Sequence, residues 1–353
     1  MSTRRTNQGI DMKKIALSTA AVLALSLVAA AALSGCGGSD TPDAKPVVAN
    51  QLLLEDPHSG KIAAFPTADP DAGTAFASHV VASVPGATGA MAFDAAHDFL
   101  YVAITDSSTN TASIQVFEEA SIMTTGKPWR TLTFEPGIQA FSVITKLVWH
   151  APSDTLWVYG RNQSGEIALA GGSLVKISSA SGFSGQVSAA DTMTVRIGSA
   201  SSSFDYDAGR DVAYATGVED LSGNLLPGVS VFSAASTNFA GSGLLQPTGT
   251  IAIPGAVDVA HDATRDILYV ADAQQGLWVV QQASSATPVL VGPIAMAQVD
   301  SVSVDVVADR LVVGAGTSAY VFDHASALTA TSAFPSAAVT TNGGVISSAG
   351  FNS

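Results

Sequence analysis

Beyond its first fifty residues the chain alternates short apolar runs with polar gaps rich in Ser, Thr, Gly, Asn and Asp. No amphipathic run of helical length, about ten residues or more, occurs outside the N-terminal segment, so the pattern predicts strands joined by turns. One unit recurs: an Asp-bearing turn, an apolar run ending like LYVA, a polar gap and a second apolar run. The copies are AFDAAHDFLYVA, VWHAPSDTLWVY, DYDAGRDVAYAT, AHDATRDILYVA and SVDVVADRLVVG. Their turn position is Asp94, His150, Asp207, Asp262 and Asp305, at separations of 56, 57, 55 and 43 residues. A second Asp follows four residues later in each (Asp98, Asp154, Asp211, Asp266, Asp309).

A period near fifty with several short strands per unit predicts the blades of a β-propeller. The first Asp suits an Asx turn between an inner strand A and a buried strand B; both aspartates read simply as turn residues. GLWVV, ASIQVF, GVSVF and SAYVF then form strand C, and TLTFE, MTVRI, GTIAI and PVLVG an outer strand D. A sixth copy is split. The tail GGVISSAGFN matches the inner strand PGATGAMAFD, while NQLLLEDPHSGKIAAF supplies strands B and C and SHVVASV the D strand. The expected fold is an all-β, six-bladed propeller spanning residues 50–353, with seven blades as the alternative. Its ring is closed by pairing the C-terminal strand with the N-terminal blade strands.

The repeats DAAHDFLYVA and DATRDILYVADAQQGLWVV resemble those of the YVTN and NHL-type propellers of bacterial extracytoplasmic proteins. The likeness covers most of residues 50–353 at the level of repeat grammar. It implies a fold; members of the broad group range from binding scaffolds to lactonases and lyases.

The N-terminus carries a different message. Lys13 and Lys14 precede an apolar run, Ile15 to Leu33, closed by Leu33, Ser34, Gly35 and Cys36. MKK at Met12 is also a more usual opening than the eleven residues before it. The pattern resembles a bacterial lipoprotein signal, 1–35, cleaved before Cys36, with 36–49 as a flexible tether. Small side chains fit the peptidase, and the thiol would carry the lipid that holds the protein to a membrane. Gly37 at the next position favours the outer membrane, facing the periplasm or the cell surface. Cleavage would remove Arg4, Arg5, Lys13 and Lys14 with Asp11, taking the net charge from −14 to −17. Such an acidic chain would repel nucleic acid and anionic head groups. With its one Cys acylated, it would rely on packing rather than disulfides.

Chemistry-bearing residues are sparse. The patterns G-x-S-x-G, H-E-x-x-H, C-x-x-C and the P-loop are absent. Asp69 to Gly73 opens like a calcium loop but lacks the later acidic ligand. The six His never pair at metal-ligand spacing; His150 and His261, near inner-strand turns, read as structural, and the four Trp as packing between blades. Polar residues do interrupt the inner strands: Lys146, Asp205, Asp258 and Asp300, with Asn342 just before the last of them. These are candidates to converge on the axial channel, where Asp and Asn would hold a divalent cation such as Ca2+ and Lys an anion. Solvation of a channel mouth is the blander reading. Long loops at 105–111, 161–171 and 217–228, carrying Arg161, Glu166, Glu219 and Asp220, are candidates for a polar binding rim.

The leading expectation is a lipid-anchored extracytoplasmic module that binds a small ligand or envelope proteins, with no catalytic residue assigned. Beside it stand a lactonase- or lyase-type enzyme with an axial cation, and a structural envelope lipoprotein.

Overall fold

The computed structural model describes residues 51–66, 80–123, 127–134, 141–162, 172–187, 192–194, 203–220, 222, 224–238, 246–331, 335–340 and 348–352. Leu33, Ser34, Gly35, Cys36, the tether, the 69–73 turn, Glu166 and Asn342 lie outside the described residues. The folded unit is six small, mainly antiparallel sheets arranged as the blades of a propeller.

Blade 1 is built from both ends of the chain. β25 (Ser348–Asn352) lies innermost, followed by β1 (Gln51–Asp56), β2 (Lys61–Pro66) and β3 (Val80–Ser83). The seal is antiparallel, Gln51 opposite Asn352 and Leu53 opposite Gly350. Blade 2 runs β4 (Ala87–Asp94), β5 (Phe99–Asp106), β6 (Thr111–Phe117) and β7 (Arg130–Phe134). Blade 3 contains β8 (Phe141–His150), β9 (Thr155–Asn162), β10 (Gly172–Ser178) and β12 (Thr192–Thr194). Blade 4 comprises β13 (Phe204–Asp207), β14 (Val212–Ala215), β15 (Val229–Ser233) and β16 (Gly249–Ile251). Blade 5 is β17 (Ala256–Asp262), β18 (Ile267–Asp272), β19 (Gly276–Gln281) and β20 (Val289–Ile294). Blade 6 is β21 (Val299–Asp305), β22 (Arg310–Ala315), β23 (Ser318–Asp323) and β24 (Ala337–Thr340). The inner strands touch in the order β25, β4, β8, β13, β17, β21 and back to β25, so the ring is closed and six-bladed.

The core is divided in the same way. Six apolar clusters fill the six gaps between neighbouring blades. Period-two alternation assigns each side chain to a gap: Leu268 and Val270 pack toward blade 4, Tyr269 and Ala271 toward blade 6. All four are fully buried. The middle of this strand B is therefore apolar, because both its faces are covered, and each large side chain contributes about 1.5–3 kcal/mol.

One element has no counterpart in the sequence reading. β11 (Gly185–Val187), from the loop between strands C and D of blade 3, pairs in parallel with β7 and becomes a fifth strand of blade 2. Arg130 ties down the same loop by donating to the carbonyls of Ala180 and Ser181. An outer edge that would otherwise be open is thereby covered.

The two aspartates of the repeat do different work. At Asp94, Asp207, Asp262 and Asp305, Oδ1 accepts the N–H groups two and three residues on, the expected Asx turn. His150 instead leads into a short 3-10 turn, 151–153, and its Nδ1 meets Ser153 Oγ at 2.7 Å. The second Asp sits in the left-handed region (φ 48 to 56°) and reaches across the blade. Asp98, Asp154, Asp211, Asp266 and Asp309 accept both the N–H and the hydroxyl of Ser121, Ser181, Ser236, Ser284 and Ser326 respectively. The Ala before each Ser is buried and donates to the carbonyl of the same Asp. Five blades thus carry an identical clamp joining the A–B turn to the end of strand C.

Candidate binding site in the axial channel

The inner strands are bulged near their entry: register shifts fall at Thr145, Val257 and Asp300, and between Ala87 and Met91. A bulge re-aims neighbouring side chains, and Lys146 and Asp258 each follow one directly. Although two blades apart, they meet: Lys146 Nζ lies 2.7 Å from Asp258 Oδ1, with the side chains 19% and 10% exposed. The same carboxylate accepts the N–H of Val259 and, through Oδ2 at 2.7 Å, that of Val302 on blade 6.

Three acids share this last habit. Each caps an inner-strand N–H of the next blade: Glu55 that of Gly89, Asp205 that of His261 and Asp258 that of Val302, all at 2.7 Å. Strand A has no neighbour on its axial edge, and these carboxylates supply acceptors there. The acids at the axis are therefore partly structural.

Their environment is nevertheless unusual. Burial raises the carboxyl of Asp205 above its ordinary range, opposed by His261 and its backbone N–H and by Lys146. Asp300 is pushed up to about 7, mainly by burial and further by Asp258, and its Oδ1 is buried without a partner. Glu55, buried beyond an apolar Leu triplet, is raised to about 8; burial outweighs its bond from Gly89, and Oε2 has no partner. Sequence reading missed Glu55. The available signal was a Glu at an interior position of a run assigned to the fully buried strand B.

A cavity of about 430 Å³ occupies the channel. Lys146, Asp205 and His261 line it among apolar groups that include Phe93 and Trp149, and it extends to Val307, which is 79% exposed at an A–B turn. Trp149 Nε1 is buried there without an acceptor. The volume is that of a small-molecule site, mainly apolar with a few polar groups. Of the axial candidates, Lys146, Asp205 and Asp258 come together, Asp300 lies close enough to feel the Asp258 charge, and Asn342 is outside the described residues.

The rim candidates are dispersed. Arg161 is the penultimate residue of β9, its carbonyl accepting from Ser142 Oγ and its Nε buried without a partner. Glu219 forms an isolated bridge with Leu225. Asp220 folds its loop onto itself, accepting the N–H groups of Ser222 and Asn224 and the Asn224 amide. Trp129, expected between blades, is half exposed, with the Arg130 guanidinium 4.3 Å above its ring.

No family model matches the chain, and no curated protein matches it. Solved structures do. A putative 6-phosphogluconolactonase from Bacteroides fragilis NCTC 9343 is similar with TM-score 0.50 at 12% identity, covering 87% of this chain and 98% of that one. A chain of a nidogen/laminin complex gives 0.49 at 13%, covering 82% and 97%. A functionally unknown protein from Desulfotomaculum acetoxidans DSM 771 gives 0.48 at 10%, covering 78% and 75%. At this identity the first speaks for the fold alone.

Proposed function

We propose that this protein is a lipid-anchored, extracytoplasmic binding module of the YVTN/NHL repeat type that takes a small ligand in its axial channel. One observation carries the reading: a ligand-sized cavity in the channel is lined by Lys146, which pairs with Asp258 behind it, by Asp205, and by Trp149 and His261, whose ring nitrogens have no hydrogen-bond partner. The leader ending at Cys36 supports attachment to the cell envelope, in the outer membrane, with the tether lifting the ring from the lipid.

Native mass spectrometry of detergent-solubilised protein from its own membrane tests the binding role. A small molecule retained by the wild type and lost in Lys146→Met supports it; a bare chain in both refutes it. Cys36→Ser should abolish lipidation and leave an unprocessed precursor. Unchanged processing and detergent partitioning would refute the anchor.

A second reading rests on Asp300. A carboxyl held near 7 beside a second carboxylate suits a general base, and the Bacteroides neighbour is named for a lactonase. Hydrolysis of sugar lactones by the wild type, lost in Asp300→Asn with folding intact, would move the protein to that class.

A further inference from the structure

A second group of orphaned polar atoms lies between blades 4 and 5, beside the A–B turns. His261 is 1% exposed, and neither ring nitrogen has a hydrogen-bond partner. Nε2 stands 3.5 Å from Asp266 Oδ1 on its own blade, and Nδ1 stands 3.9 Å from Asp207 Oδ2 on the neighbouring blade. Tyr214, whose ring centroid is 5.0 Å from the imidazole, buries its hydroxyl without a partner near the same two carboxylates. One ring nitrogen and one oxygen from each Asp lie within 4.8 Å of one another.

The repeat shows what is missing. In blade 4 the residue preceding the turn Asp is Tyr206, and its hydroxyl reaches the clamp Asp211 Oδ1 at 3.1 Å. In blade 5 the same position is His261, whose ring stops short of a well-formed bond to clamp Asp266. Burying an imidazole and a phenol without partners is costly. Two carboxylates converging on them supply the donor set of a cation site.

We propose that Asp207, His261 and Asp266 bind one borderline divalent ion, of the zinc, nickel or cobalt type, that staples blade 4 to blade 5. Imidazole nitrogen favours such ions over calcium or magnesium, which take oxygen ligands. Three protein ligands would leave one position for water, and the unpartnered Tyr214 hydroxyl lies near the same two carboxylates. The staple falls where it is most useful, since β13 has only four residues, the shortest of the inner strands. Arg210 is the competitor. Its Nη1 holds Asp207 Oδ2 at 2.8 Å and its Nε lies 3.9 Å from Asp266 Oδ2. The side chain is one-third exposed and swings to solvent when the ion enters.

The test uses the full chain in detergent, stripped with a chelator, and titrated with ZnCl2 by calorimetry and with CoCl2 by visible absorption. Wild type should bind one ion per chain, giving the intense cobalt bands of a low-coordinate site and a raised melting temperature. Arg210→Ala should bind at least tenfold more tightly. His261→Gln and Asp207→Asn, the latter able to keep the turn, should each lose the ion and the cobalt bands while retaining a cooperative melt. Failure of wild type to bind, or binding unchanged in His261→Gln, would overturn the site and mark any uptake as adventitious binding to the acidic surface.

Discussion

The two polar systems of this ring differ in repetition. At the A–B turns, five blades write the same Asp–Ala–Ser clamp with nearly the same dihedrals and distances. Around the axis the residues vary from blade to blade: Lys146 in one, Asp205, Asp258 and Asp300 in others, and Glu55 entering from strand B of the first, with three of the acids capping the next blade. Chemistry repeated in all five blades that have an A–B turn answers a need they share, the joining of that turn to a strand end. Chemistry that appears once answers a need of the whole molecule. The clamp is scaffold, and the departures at the axis are what the proposed binding role rests on.

The largest effect should come from opening the ring. Deleting 343–353 removes β25, leaves β1 without its inner partner and exposes the apolar gaps on both sides of blade 1. Loss of a cooperative thermal transition is expected; a melt like that of the intact chain would show that closure does not depend on this strand.

Asp98→Ala comes next. Asp98 and Ser121 are both buried, so the variant loses two bonds to a charged group and orphans the donors, costing about 1.5–3 kcal/mol. The same change at the more exposed Asp211 should cost less. Equal losses in denaturant titration would mean that burial does not set the strength of the clamp.

Lys146→Met breaks the axial pair and leaves Asp258 with only its backbone donors. A cost on the order of 2 kcal/mol is expected for a pair that is mostly but not wholly buried.

At Glu55 the size of the change depends on pH. Its folded value, about 8, lies above the ordinary 4.5, so the folded state holds a proton that the unfolded chain releases between these values. Stability therefore falls as pH rises through that window. Glu55→Gln should flatten the slope and raise the melting temperature at pH 8 relative to wild type while leaving it nearly unchanged at pH 4.5. An unchanged slope would place the titrating group elsewhere, with Asp300 the next candidate.

Most of the scaffold was legible in the sequence. The spaced turns yield the blades, and the match of GGVISSAGFN to an inner strand yields the seal, because local alternation and turn chemistry agree with the fold. The clamp was not legible. Its Ser lies from 17 to 27 residues beyond its Asp, across loops of unequal length, and only the recurring Ala-Ser dipeptide after strand C betrays it. β11 was hidden because GQV reads as loop, and its pairing is set by tertiary contact with β7. At the axis, Lys146 and Asp258 could be named as polar interruptions, but their meeting across an intervening blade depends on bulges that no periodicity reveals.

Ligand retention per folded molecule, compared between Lys146→Met and Asp211→Ala, separates site from scaffold most directly. The account predicts that the clamp variant melts earlier yet keeps its bound molecule in native mass spectra, whereas the axial variant loses it. Retention by Lys146→Met together with loss in Asp211→Ala would contradict it.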